Sequence, residues 1–180
     1  MDIALFDKSN RQLIQAAAAL LIECFPHSYK DSACDEVKNC LSDDRIAVMA
    51  TDGGHLVGFI GAIPQYGTTG WELHPLAVKK EYRLRKVGTR LVSALEKECR
   101  QKGCITLYLG TDDEFGQTSL SNTDLYLDLY QKVANIKNLK SHPYEFYQKA
   151  GYQIVGVLPD ANGLGKPDIW MAKCIANFEE

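Results

Sequence analysis

The chain has 180 residues, 46% of them hydrophobic, with a formal net charge of -3. That is one domain's length with enough apolar mass for a sizeable core, so disorder is not expected. The mild acidity argues against a general nucleic-acid or membrane-surface partner. It suits a pair of small ligands of opposite charge.

The N-terminal MDIALFDKSN has no basic lead, so a signal peptide is not expected. The longest apolar run, Ala16–Ile22, is too short to span a bilayer. The six cysteines, at 24, 34, 40, 99, 104 and 174, include no Cys-x-x-Cys. They read as reduced thiols of a cytoplasmic protein, and the four scattered histidines lack metal-ligand spacing. No metal is expected.

Asn10 is placed to cap a first helix whose apolar side is Leu13, Ile14, Ala17, Leu21 and Phe25, with Pro26 past its end. Ser32 and Asp35 have capping-box spacing for a second helix with Cys34, Val37 and Leu41 inward. Strands are expected at 45–50 and 56–63, joined by Asp52-Gly53-Gly54. Residues 64–70 read as a loop, and Trp71–Val78 as a buried strand. Val87, Leu91, Val92, Leu95 and Cys99 then mark one helix face, closed by Gly103. Residues 104–109 alternate, with Ile105, Leu107 and Leu109 on one side.

A long segment, about 111–141, reads as a helical insertion capped by Thr123, with Leu125, Leu129, Val133 and Ile136 on one face. Pro143 suits a helix N1 position, and Gly151 caps 144–150. Strands at 152–158 and 169–175 finish the chain.

The stretch from Trp71 to Lys102 carries the chemistry. A strand enters a helix through the basic turn Arg83-Leu84-Arg85-Lys86-Val87-Gly88-Thr89. The first N–H groups of a helix lack intrahelical partners and sit at the positive end of its dipole. Phosphate oxygens are natural occupants. The turn is neither a nucleotide P-loop nor a dinucleotide fingerprint.

This arrangement resembles the GNAT superfamily of N-acetyltransferases, whose Arg/Gln-x-x-Gly-x-Gly/Ala signature binds the pyrophosphate of acetyl-CoA. Arg83 fits the first position, Lys86 replaces the first glycine, and Gly88 fits the second. Four further stretches, 64–76, 108–113, 142–159 and 166–173, resemble the aminoglycoside 6'-N-acetyltransferases. The likeness runs from Phe6 to Lys173. It implies an α/β fold with a mixed, mostly antiparallel sheet flanked by helices and a splayed central strand pair. It also implies a homodimer.

The resemblance implies acetyl transfer from acetyl-CoA to the 6'-amine of aminoglycoside antibiotics, giving resistance. In that scheme Leu76, Ala77 and Val78 meet the pantetheine arm by backbone, as an added strand does. Arg83, Leu84, Arg85, Lys86, Val87, Gly88 and Thr89 hold the pyrophosphate, and Lys149 touches the adenosine phosphates. Glu72 stands in an apolar strand, where a carboxylate is costly unless paired or solvated. It is expected to anchor the amine and take its proton, with His74 as helper. Asp112 and Asp113 would bind a polycation, and Tyr66 and Trp71 would line the sugar. Tyr147 matches the tyrosine placed near the cofactor sulfur, to protonate the thiolate. An amine with a pKa near 10.4 costs roughly 4–5 kcal/mol to neutralise at pH 7, so proton removal matters. An acetyltransferase for another amine, a polyamine or a protein, and a non-catalytic acyl-CoA sensor remain open.

Overall fold

The computed structural model describes residues 1–176. Two compact units divide the chain, residues 1–107 with 175–176, and residues 108–174.

In the first unit, strands β1 (Asp2–Leu5), β2 (Ile46–Asp52), β3 (His55–Tyr66) and β4 (Gly70–Val78) pair antiparallel in that order. Helix α1 (Arg11–Cys24) starts as expected, with the Asn10 side chain accepting from the Gln12 and Leu13 amides. Pro26 opens a further short helix, α2 (Pro26–Tyr29). Helix α3 (Ala33–Cys40) lacks the expected box, because Ser32 makes no side-chain cap. Its inward residues are Ala33, Val37 and Cys40, while Cys34 is exposed. The buried stripe is turned by one residue from the expected one, to Ala33, Val37 and Cys40, and Leu41 is buried just past the helix end.

Helix α4 (Val87–Gln101) buries Val87, Leu91, Val92, Leu95 and Cys99, the stripe that periodicity marks. Gly103 ends it at φ +85°, the left-handed conformation of a helix C-terminus. The stripe lies against β2 and β3. Gly58 permits the approach: a Cβ there would come within 2.8 Å of Leu91 Cδ1. On the opposite face, α1 and α3 bury Ala17, Leu21, Val37 and Cys40 with Phe59 and Ala77.

The expected loop at 64–70 is mostly strand. Pro64 pairs with Trp71 and Tyr66 with Gly70, so only Gly67–Thr69 turn. Pro64 needs no N–H where the ladder is already irregular, between Pro64 and Tyr66.

The second unit holds most of β5 (Thr106–Asp112), which begins in the first, with β6 (Gln153–Leu158) and β7 (Asp168–Cys174). The order is β5-β7-β6, and β6 and β7 are antiparallel. Leu107 and Leu109 are buried, but Ile105 precedes β5 and is 43% exposed. Residues 111–141 are less helical than expected. Only α5 (Leu129–Ala134) forms, it buries none of its residues, and Asp128 precedes it in a left-handed conformation. Thr123 bonds Ser121 O and caps nothing. A bridge between Thr118 and Asn138 ties the segment's two limbs together. Helix α6 (Tyr144–Lys149) follows Pro143, and Gly151 at φ +93° closes it.

Candidate active site

Strand β4 carries several of the expected residues, and its register decides which side chains point where. Ile60 pairs with Leu76, but Ala62 pairs with Leu73. Two β4 residues, His74 and Pro75, therefore oppose the single Gly61. This is a bulge, and one extra residue reverses the facing of everything beyond it. Leu76 and Val78 share the face of Ile60 and Gly58, toward α4. Glu72 shares the other face with Ile63, toward α1–α3. One strand thus presents Glu72 and Leu76 to opposite sides.

Peptide directions follow from the same ladder. The Lys79 amide donates to Val57 O at 3.0 Å. By the two-residue repeat of an antiparallel pair, Ala77 faces Phe59 with its peptide groups, and Leu76 and Val78 turn theirs away from β3. Val78 O receives Arg83 Nε at 3.1 Å. Arg83 therefore folds back on the end of β4, its guanidinium also reaching Cys24 Sγ at 3.5 Å.

The basic turn has a backbone suited to an anion. Leu84 and Lys86 both have positive φ, 61° and 62°. Lys86, where the resembling family has glycine, is the N-cap of α4 in the left-handed region. No side chain caps this end and no acid stands in its first turn. Arg83, Leu84, Arg85, Lys86 and Thr89 are exposed, Gly88 is half-buried, and Val87 points into the core. Arg85 lies 5.4 Å over the Tyr82 ring. The start of a fifteen-residue helix, uncapped by any side chain and flanked by cations, suits an anion. Val87 would take part only through its backbone.

On the α1–α3 face, Gln65 Nε2 donates to Glu72 Oε2 at 2.9 Å and orients the carboxylate. His74 Nε2 lies 2.9 Å from the Tyr29 hydroxyl and 3.6 Å from Glu36 Oε1. Cys40 donates to Glu36 Oε1 at 3.4 Å. Burial, then the charge of Glu36, pushes the Cys40 thiol up to about 12. The Tyr29 hydroxyl is raised well beyond its ordinary range by burial first and then by Glu36, Cys40 and Glu72. Both stay protonated at neutral pH. Tyr29, Glu36 and Gln65 are contributors that sequence reading missed, since they lie on other elements with no shared spacing.

Tyr66 is 69% exposed. Trp71, by contrast, is buried and its Nε1 donates to Thr68 O at 2.9 Å. It is a core residue of the β3–β4 hairpin.

The second unit holds the other expected residues. Asp112 is exposed at the end of β5 and accepts from Asn162 Nδ2. Asp113 is fully buried and cannot meet a substrate. Its oxygens receive the Gln117 amide at 2.6 Å and the Thr118 amide at 2.7 Å. Burial alone would raise its pKa, but the hydrogen bonds from Gln117, Ser121 and Thr118 outweigh that and hold it below the usual value. The carboxylate organises its own loop. Tyr147 is buried on α6, and burial pushes its hydroxyl far up. It stays protonated, so it has a proton to donate. Lys149 is exposed on the same helix.

The pattern of the Acetyltransferase (GNAT) family matches residues 14–132. No curated protein sequence matches. A crystal structure of aminoglycoside 6'-N-acetyltransferase complexed with coenzyme A is 56% identical, covers all of both chains and superposes with a TM-score of 0.98. That of the aminoglycoside 6'-N-acetyltransferase from Enterococcus faecium is also 56% identical over the whole of both chains, with a TM-score of 0.96. Aminoglycoside 6'-acetyltransferase type Ii is 49% identical, covering 99% of this chain and 100% of its own, with a TM-score of 0.81. Family pattern, full-length likeness and the expected mixed, mostly antiparallel α/β fold agree: the chain belongs to the acetyltransferase (GNAT) family.

Proposed function

We propose that this protein transfers the acetyl group of acetyl-CoA to the 6'-amine of aminoglycoside antibiotics and so confers resistance. The observation that carries the reading is the full-length likeness, at 56% identity, to an enzyme of that activity crystallised with coenzyme A.

Bound acetyl-CoA supplies an activated acyl group and a thiol leaving group. The chain's share is placement and proton handling. Holding both reactants in reacting geometry is worth roughly 7–11 kcal/mol of barrier. The exposed peptide turn at 83–89 and the α4 amides bind phosphate, aided by Lys149. Leu76 offers peptide groups that face away from β3, and Val78 its N–H, its carbonyl being held by Arg83. Glu72, oriented by Gln65, attracts the cationic amine and accepts its proton through water. His74, held between Tyr29 and Glu36, is its helper. Tyr147, kept protonated by burial, donates to the departing sulfur. Asp112 and Tyr66 contact the sugar; Asp113 and Trp71 support from within.

Reduced thiols fit a cytoplasmic setting, and no helix among the described residues is long and apolar enough to cross a membrane. A homodimer accords with the family relationship, and sedimentation velocity tests it.

The experiment is thiol release from acetyl-CoA with kanamycin, spermidine or an amino-terminal peptide as acceptor. Release with kanamycin above the others is expected. Preference for spermidine or peptide would make it an acetyltransferase for another amine. Cofactor binding without release on any acceptor would make it a sensor.

A further inference from the structure

His142 is 2% exposed and lies in the turn that leads into α6. Its imidazole has two partners whose roles are not adjustable. The Tyr144 amide points at Nδ1 at 3.2 Å, and an amide can only donate. The Asp112 carbonyl oxygen lies 3.1 Å from Nε2, and a carbonyl can only accept. The tautomer is therefore dictated by its surroundings: Nδ1 bare, Nε2 protonated, ring neutral. The backbone of His142 is fixed as firmly. Asn138 receives its N–H at 2.7 Å and donates to its carbonyl at 2.9 Å.

These bonds join two places that the reaction needs. Asp112 ends β5 and carries a candidate sugar ligand. Tyr144 is the first residue of α6, and Tyr147 lies one turn further along the same buried face. The His142 ring also meets the Tyr144 ring, with centroids 5.7 Å apart. The α6 helix has only six residues and no side-chain cap of its own. A helix that short is marginal by itself, so its position depends on what grips its ends. His142 grips the N-terminal end, and Gly151 with the Tyr152 amide on Tyr147 O closes the other.

We propose that His142 is a positioning residue for acetyl transfer: its neutral imidazole pins the start of α6 to the end of β5 and so sets where the Tyr147 hydroxyl and Asp112 stand relative to each other. The proposal rests on the reading that Tyr147 protonates the leaving thiolate. Burial of the ring favours the neutral form, while the carboxylates of Asp112 and Asp113 and the Asp112 carbonyl favour charge; burial prevails and the pKa lies below its ordinary value. A second proton on Nδ1 would face the Tyr144 N–H and break the bridge at its helix side.

Two substitutions separate the two bonds. Asn places an oxygen where Nδ1 was, which keeps the helix side. Gln places an N–H where Nε2 was, which keeps the strand side. Leu removes both. In the full-length protein His142→Leu should lower kcat about 10- to 100-fold, the scale of a small misplacement of a reacting group. KM for acetyl-CoA should change far less than kcat, since the turn at 83–89 lies elsewhere in the chain and α6 adds only Lys149 to phosphate binding. His142→Asn and His142→Gln should each restore part of kcat. Tyr147→Phe should cost far less in the His142→Leu background than in the parent, because a misplaced hydroxyl has little left to lose. If His142→Leu fails to fold, the Asn and Gln variants carry the same comparison.

Full kcat in His142→Leu, or equal cost of Tyr147→Phe in both backgrounds, overturns the positioning role and leaves the Tyr147 reading standing. A harmless Tyr147→Phe in the parent overturns that reading and the inference with it.

Discussion

The carbonyl oxygen of His74 sits against Gly61 so closely that a Cβ on Gly61 would lie 2.6 Å from it. The contact is backbone, so it cannot swing aside. It is also the point where β4 gains its extra residue, and hence where Glu72 and Leu76 are sent to opposite faces. Gly61→Ala should therefore cost about 1–3 kcal/mol of stability, as overpacking does, and lower kcat as well. Urea unfolding and steady-state kinetics check both; a wild-type midpoint would show that the bulge can relax.

Lys86 holds a left-handed backbone at φ 62° with an exposed side chain. A side-chain-bearing residue pays roughly 1–2 kcal/mol there. Glycine avoids that cost but loses more entropy on folding, about 0.5–1 kcal/mol. Lys86→Gly should raise stability by about 0.5–1 kcal/mol and raise KM for acetyl-CoA through the lost cation. Denaturant titration with a cofactor KM measurement tests the pair of effects.

Glu72→Gln keeps the size of the side chain while removing its capacity to accept a proton. Loss of a general base lowers turnover by about 10²–10⁴-fold. The remaining rate should then climb with pH toward the amine's own pKa, about 10.4, because only the free base reacts. A kcat/KM profile from pH 6 to 10 decides it, and a flat residual profile would take Glu72 out of the proton path.

Asp113 is completely buried with two backbone amides on its oxygens. Asp113→Asn would turn an N–H toward one of those donors, and an unsatisfied buried group costs about 1–3 kcal/mol. The pH dependence has a definite sign. Its folded pKa is below the ordinary 3.8, so the unfolded chain binds the proton first. Stability from Asp113 is whole above pH 3.8 and is lost as pH falls through the folded pKa. Acid titration of unfolding should show that loss in the parent and not in Asp113→Asn.

The helices with long stripes were legible before any coordinates: α1 from its Asn10 cap, α4 from its four-residue spacing, Gly103 from its place after the last turn. Short-range physics governs those features, and short-range physics is written in neighbouring residues. The segment at 111–141 differs from its helical spacing: Leu125 is buried outside any helix, and Leu129, Val133 and Ile136 are only half-buried. Only six residues became helix and none is buried. Asp112 and Asp113 looked alike in the chain. One is exposed and the other is consumed by its own loop.

By itself, the order of residues determined the family, the basic turn before α4 and the chemical types at Glu72, His74 and Tyr147. Those depend on motif and local periodicity. The tertiary structure alone decided that a bulge at His74–Pro75 sends Glu72 and Leu76 to opposite faces. It also decided that Tyr29 and Glu36 close on His74, and that a neutral His142 bridges β5 and α6. Each of these joins residues distant in the chain, through a register or a hydrogen bond that exists only once the backbone has folded.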